Sequence, residues 1–252
     1  MKKYFIVADV HSFYNEMMTA LNEKGWDSNN PDHIFVSLGD MFDRGPQSRE
    51  VMDFLMSIPE DRRIFILGNH ELLMEEMVAR GGELYHDITN GTIQTAMDLT
   101  GANYAEEACE LMKTNQDWNE YIHSCQLYAE VGNNIFVHGW IPCYTYGKYS
   151  VYPYAYNIGW KDAPIHEWKN ALWINGMEAW DNGVREYGKT IWCGHWHTSW
   201  GHAHLHHSGV EFPKEKGEKA HFSPFKDEGI VAMDACTAYS HKVNCEVIEM
   251  ED

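Results

Sequence analysis

The chain reads as an α/β fold, and two recurrences predict it. Short apolar runs rich in β-forming residues, KKYFIVADVH at 2–11, HIFVSLGD at 33–40 and RRIFILGNH at 62–70, each end in side chains able to bind metal. Between them, FYNEMMTALNEKGW at 13–26 and SREVMDFLMSI at 48–58 carry apolar residues at helical spacing. The first 70 residues therefore alternate strand, helix, strand, helix, strand, and in open α/β sheets ligands gather at the carboxyl ends of such strands.

Downstream, ELLMEEMVAR at 71–80 is helical, and a mostly helical segment is expected over about 72–128. NNIFVHGW at 133–140 and KTIWCGHWHT at 189–198 restore the strand-then-polar form. GIVAMDACTAYSHKVNCEVIEM at 229–250 reads as a closing hairpin of two strands. The segment 140–160, WIPCYTYGKYSVYPYAYNIGW, is dense in aromatics, Gly and Pro, and is expected to be a packed surface loop. It either overhangs a cleft or simply covers core. With no repeat and no linker, 1–252 is expected to be a single domain, of a length that can bury a substantial core.

The 38 acidic against 19 basic residues leave a formal charge of -19, which repels nucleic acid and anionic membrane surfaces at long range. A phosphate substrate remains compatible, because bound cations reverse the local field. The six cysteines form no CxxC pair or disulfide framework, so a reduced, cytoplasmic setting is expected. The apolar run from Tyr4 to Ala8 is too short for a signal-peptide core, and no stretch is long enough to span a bilayer.

Five short segments carry the chemistry: DVH at 9–11, GDMFDRG at 39–45, GNHE at 68–71, VHG at 137–139 and GHWH at 194–197. One Asp or His after a strand is ordinarily a turn or capping residue, but five such coincidences exceed turn chemistry. Carboxylate, imidazole and amide oxygen donors suit manganese, iron, zinc or magnesium, whereas a structural zinc site would recruit thiolates. Two metals about 3.5–4 Å apart can clamp a phosphoryl group and activate a water between them.

In this order the five segments resemble the calcineurin-like metallophosphoesterases, and the DRG and GNHE forms are similar to the bacterial and phage serine/threonine protein phosphatase branch. Weaker similarity extends to TNGT at 89–92 and to the C-terminal strands. The resemblance implies a four-layer αββα sandwich of two mixed sheets flanked by helices, with a dinuclear site at the strand ends. It implies Asp9 and His11 on a first metal, Asp40 bridging, and Asn69, His138 and His195 on a second, with His197 on or near the first. His70 would be the general acid, Asp43 its orienting carboxylate, and Arg44 a fork on phosphate oxygens. Asn69 would also face the substrate.

Three departures stand out. Ser12 and Trp140 replace glycines, and Asn175, in ALWINGMEAW, stands where a second phosphate-binding arginine is expected. Arg185, Lys148 or Lys161 could supply the missing charge. His202, His204, His206 and His207 could chelate a third metal but read first as a solvated stretch, and Trp192, Trp196 and Trp200 read first as core.

The implied activity is metal-dependent hydrolysis of phosphomonoesters, with manganese as first candidate, on phosphoserine or phosphothreonine in a protein or on a small phosphate ester. A dinucleoside polyphosphate hydrolase or phosphodiesterase is the alternative within the same chemistry. A non-catalytic phosphate-binding scaffold is the alternative outside it.

Overall fold

β1 (Lys2–Val7), β2 (His33–Ser37), β3 (Arg63–Ile66), β4 (Cys125–Gln126) and β12 (Cys245–Met250) form one sheet in the order β12-β1-β2-β3-β4. Its first four strands run parallel, and β12 pairs antiparallel with β1. The computed structural model describes residues 1–146 and 153–251. β5 (Ala129–Val131), β6 (Asn134–Phe136), β9 (Thr190–Cys193), β10 (Phe225–Asp227) and β11 (Ile230–Ala232) form a second sheet in the order β10-β11-β9-β6-β5, in which β6, β9 and β11 are parallel.

The inner faces of the two sheets meet in a cluster of Ile6, Val36, Leu38, Ile66, Phe136, Trp192, Val231 and Met233. The outer face of the first sheet is covered by α1 (Tyr14–Glu23), α2 (Ser48–Ser57), α3 (Asn69–Arg80), α5 (Thr92–Thr100), α6 (Ala105–Met112) and α7 (Gln116–Ser124), with the short α4 (Tyr85–Asn90) beside them. Amphipathic spacing drives this: α1 buries Met17, Ala20 and Leu21, and α2 buries Val51, Met52 and Leu55. Residues of α8 (Ile165–Ala171) and α9 (Gly176–Asp181) cover the second sheet, giving the four-layer αββα sandwich.

Two local expectations change. The C-terminal strands are not a hairpin: β11 lies in the second sheet between β9 and β10, and β12 lies at the edge of the first. All three residues of β11 are buried, as an interior strand requires, whereas β12 is mostly half-buried. The connection between them carries the short α11 (Thr237–Ser240) along the strand-end edge. In the aromatic segment, β7 (Cys143–Thr145) pairs with β8 (Tyr154–Tyr156), and Cys143, Tyr154 and Trp160 pack on the second core. Those described residues cover core; 147–152, with Lys148, lie outside the described residues.

Candidate metal centre

The strand ends turn sharply, and the backbone records it. Asp9, His11, Asp40, Asp43, Arg44 and His195 all have positive φ, between 49° and 74°, a region that non-glycine residues rarely occupy. Such strain concentrates at functional sites, where surrounding contacts over-determine it. Ser12, where the resemblance expects glycine, also takes φ 59°, with its hydroxyl on Ser48 Oγ at 2.9 Å. Gly68 has a different reason: a Cβ there would collide with the carboxylates of Asp40 and Glu71.

Two groups of ligating atoms share Asp40. One comprises His11, Asp40 and His70, the other Asp40, His138 and His195. His11 Nε2 and His70 Nε2 each lie 3.9 Å from Asp40 Oδ2, and His138 Nε2 lies 3.4 Å from Asp40 Oδ1. Asn69 Oδ1 joins the second group, 2.7 Å from His138 Nε2 and 2.9 Å from His195 Nδ1. Asp9, buried behind them, accepts the His195 N–H through both carboxylate oxygens at 2.9 and 3.0 Å.

The donor set fits cations. His11 Nδ1 lies 2.9 Å from the Phe42 carbonyl and His138 Nδ1 2.7 Å from that of Leu38, which fixes the tautomers that leave both Nε2 lone pairs facing inward. Acceptors then converge around Asp40 with too few hydrogens between them, a void that protons or metal ions must fill. Burial raises the Asp9 carboxyl well above its usual range, helped by Asp234, and raises Asp234 itself to about 6. Burial alone would lower His138, but the Asp40 charge and hydrogen bond overcome it and carry the ring to about 10. His195 is driven down to about 3 by burial and by His138.

These shifts set a pH test. Asp234 and His138 bind protons more tightly folded than unfolded, so each favours the metal-free fold at low pH. The Asp234 contribution is complete below 3.8 and gone above about 6; that of His138 is complete below 6.5 and lost as pH rises through about 10. Bound cations would replace those protons. The Tm gap between manganese-loaded and chelator-treated protein is therefore expected to widen from pH 6 to pH 9 in thermal melts. A gap independent of pH would count against a proton-competing cation site.

His70 and its neighbours form a distinct row. Its Nδ1 lies 2.7 Å from Asp43 Oδ2, and its Nε2 lies 3.1 Å from Arg44 Nη2. Arg44 Nη1 reaches His11 Nε2 at 3.0 Å, so one guanidinium spans both histidines of the first group. Burial opposes charge on His70, but Asp40 and the hydrogen-bonded Asp43 outweigh it and raise the ring above its ordinary value. TNGT supports this row: the Thr92 hydroxyl donates to Asp43 Oδ2 at 2.7 Å, and the Asn90 carbonyl accepts from Arg44 N–H at 3.1 Å.

Two residues that shape the centre escaped sequence reasoning. Glu71, inside GNHE, accepts N–H bonds from Asp40, Met41 and Gly68 at 2.9–3.0 Å and the Tyr121 hydroxyl at 3.1 Å, tying two strand-end loops together. Asp234 is buried close to Asp9 and accepts the Cys236 N–H at 2.6 Å. Its signal was present, since it ends the apolar run GIVAM as the other candidates end theirs.

Other candidates lie elsewhere. His197, expected on or near the first metal, places Nε2 3.3 Å from Glu211 and Nδ1 3.1 Å from Ser199, because its backbone already opens α10 (Thr198–His204) and turns the ring outward. Asn175 is buried as the N-cap of α9, its Oδ1 accepting from Met177 and Glu178 N–H at 3.2 and 3.3 Å. The structure gives it a capping role. Asn175→Ala is expected to cost about 1 kcal/mol in chemical denaturation and to leave the KM for a phosphate ester within about twofold. A large KM rise without loss of stability would show a binding role instead.

The alternative cations are committed too. Arg185 stacks 4.1 Å over Trp180 and donates to its carbonyl, and Lys161 pairs with Glu130. The histidine tract forms no metal-binding group among the described residues, its rings instead meeting Ser223, Glu211 and Asp227.

The model of the calcineurin-like phosphoesterases matches residues 2–199. The symmetrical bis(5'-nucleosyl)-tetraphosphatase of Buchnera aphidicola subsp. Baizongia pistaciae is 38% identical over 29% of this chain and 24% of its own length. The asymmetrical bis(5'-nucleosyl)-tetraphosphatase of Bacillus velezensis is 25% identical over 58% of this chain and 60% of its own. The chain thus spans between a quarter and three fifths of these two relatives. A protein serine/threonine phosphatase from Saccharomyces cerevisiae shares the fold with TM-score 0.54 at 13% identity, covering 100% of this chain and 81% of that one. With the family model covering strands, turns and histidines from β1 to the start of α10, the chain belongs to the calcineurin-like phosphoesterase family.

Proposed function

We propose that residues 1–252 form one phosphoesterase domain that hydrolyses small phosphate compounds at two divalent metals, with dinucleoside polyphosphates as the first substrate class. The observation that carries the chemistry is Asp40 shared between two ligand groups, with Arg44 bonded to both histidines of the group that contains His11 and His70. Asp9, His11 and Asp40 would hold one ion, and Asp40, Asn69, His138 and His195 the other. When bound, such ions neutralise phosphoryl charge and lower the pKa of water, manganese being the first candidate and iron, zinc or magnesium acceptable to the same donors.

The chain's own residues do the rest. Arg44 offers its fork to phosphoryl oxygens, in place of the bonds it now makes to His11 and His70. His70 delivers the Nε2 proton to the leaving oxygen, while its Nδ1–H stays on Asp43. This dyad argues against a non-catalytic scaffold, which has no use for a raised, oriented acid. The names of the relatives support dinucleoside polyphosphates. The DRG and GNHE forms favour a second reading, phosphoserine or phosphothreonine in proteins.

Manganese-loaded protein should hydrolyse diadenosine tetraphosphate with a kcat/KM above that for phosphopeptides. The reverse order would promote the second reading, and no turnover of either would sink both. No helix among the described residues is long and apolar enough to cross a membrane, and the free cysteines agree with the cytoplasmic setting proposed here.

A further inference from the structure

Of the ten tryptophans, eight are buried or half-buried, including Trp192 and Trp200. Trp173 and Trp196 are the exceptions, 53% and 36% exposed. They come from different parts of the fold, after α8 and after β9, yet both rings meet the same imidazole: Trp173 lies 5.7 Å from the His195 ring at 84°, and Trp196 lies 6.0 Å from it at 62°. Two large apolar rings left in solvent at the rim of a polar centre are available to a ligand with an aromatic face.

Their position relative to the acid says which part of the ligand they meet. His70 and Arg44 stand with the group of His11, whereas Trp173 and Trp196 stand with the group of His138 and His195, beyond the shared Asp40. The leaving group must depart beside His70. A ring bound at the tryptophans therefore belongs to a substituent that stays on the phosphorus. A phosphomonoester has no such substituent, but a nucleoside polyphosphate does: one nucleoside leaves on the His70 side and the other remains on the His195 side.

Building on the polyphosphate reading above, we propose that Trp173 and Trp196 form a stacking platform for the base of the retained nucleoside, and so set selectivity for nucleotides over base-free phosphates.

The test uses metal-loaded protein, the variants Trp173→Ala, Trp196→Ala and the corresponding Phe variants, and three substrates: diadenosine tetraphosphate, tripolyphosphate and phosphotyrosine. The selectivity ratio, kcat/KM for the dinucleotide over that for tripolyphosphate, is expected to fall about tenfold in each Ala variant and to recover in the Phe variants. Binding is read separately from tryptophan fluorescence. ADP should quench wild-type emission more strongly than pyrophosphate at equal saturation, and each Ala substitution should weaken ADP binding more than pyrophosphate binding.

An unchanged ratio together with equal effects on ADP and pyrophosphate overturns the platform, even in an enzyme that cleaves the dinucleotide. So does a loss confined to phosphotyrosine, which would place the leaving ring at the tryptophans. If wild-type protein turns over no substrate, the polyphosphate reading fails, and the ADP titration alone then decides for or against the platform.

Discussion

Asp40→Asn is expected to lower turnover by at least about 10³-fold and to reduce bound metal from two ions per chain to one or none. Asp40 is the residue present in both ligand groups, with Oδ2 facing His11 and His70 and Oδ1 facing His138. An amide keeps the shape but removes the charge and turns one oxygen into a donor. Despite burial, the Asp40 carboxyl is held well below its usual range by His138 and His70, so it is the ionised centre around which the histidines are arranged. Metal content by mass spectrometry and kcat on para-nitrophenyl phosphate provide the check. Two ions retained with near-wild-type kcat would exclude a bridging role.

His70→Asn should leave metal content intact and lower kcat by about 10²–10⁴-fold for substrates with poor leaving groups. The loss should shrink along a series of aryl phosphates as the leaving phenol becomes more acidic, because a good leaving group needs no proton. The geometry behind this is the 2.7 Å contact of His70 Nδ1 with Asp43, which leaves Nε2 facing the space around Asp40; it accepts from Arg44 here and is free to carry the acid proton once Arg44 turns to phosphoryl oxygens. Asp43→Asn should reproduce the trend more weakly, since it removes the charge that raises His70 without removing the ring. If the loss were the same across the whole series, His70 would be a positioning residue and not the acid.

Much of the site was legible because its side chains follow one local rule, in which an apolar run ends and a polar residue enters the turn. Asp9, His11, Asp40, Asn69, His138 and His195 obey it, and the structure gathers them at one edge because β1, β2 and β3 run parallel in one sheet and β6 and β9 run parallel in the other. Asp234 obeys the same rule after β11, but without a second polar signal beside it the sequence reads as a strand end. Glu71 was hidden differently: it sits in a quoted motif, yet its partners are the backbone N–H groups of Asp40 and Met41, contacts that leave no mark on residue type.

Three placements differ from what local sequence suggests, each for its own reason. His197 is two residues from His195, and only the φ of 66° at His195 followed by the start of α10 sends one ring inward and the other to Glu211. Asn175 carries a polar side chain in an apparently equivalent place, but local capping hydrogen bonds, satisfied within three residues, outcompete any reach toward the centre. The two C-terminal strands have the composition of a hairpin, yet each completes a different sheet.

By itself, the sequence determined the α/β class and the donor chemistry of the centre, because both depend on local periodicity and on which side chains end each strand. Only the tertiary structure decided which donors converge on Asp40, which histidine stays out, and which two tryptophans remain uncovered. Convergence depends on the relative placement of two separate sheets and their turns, and packing between distant segments sets that placement.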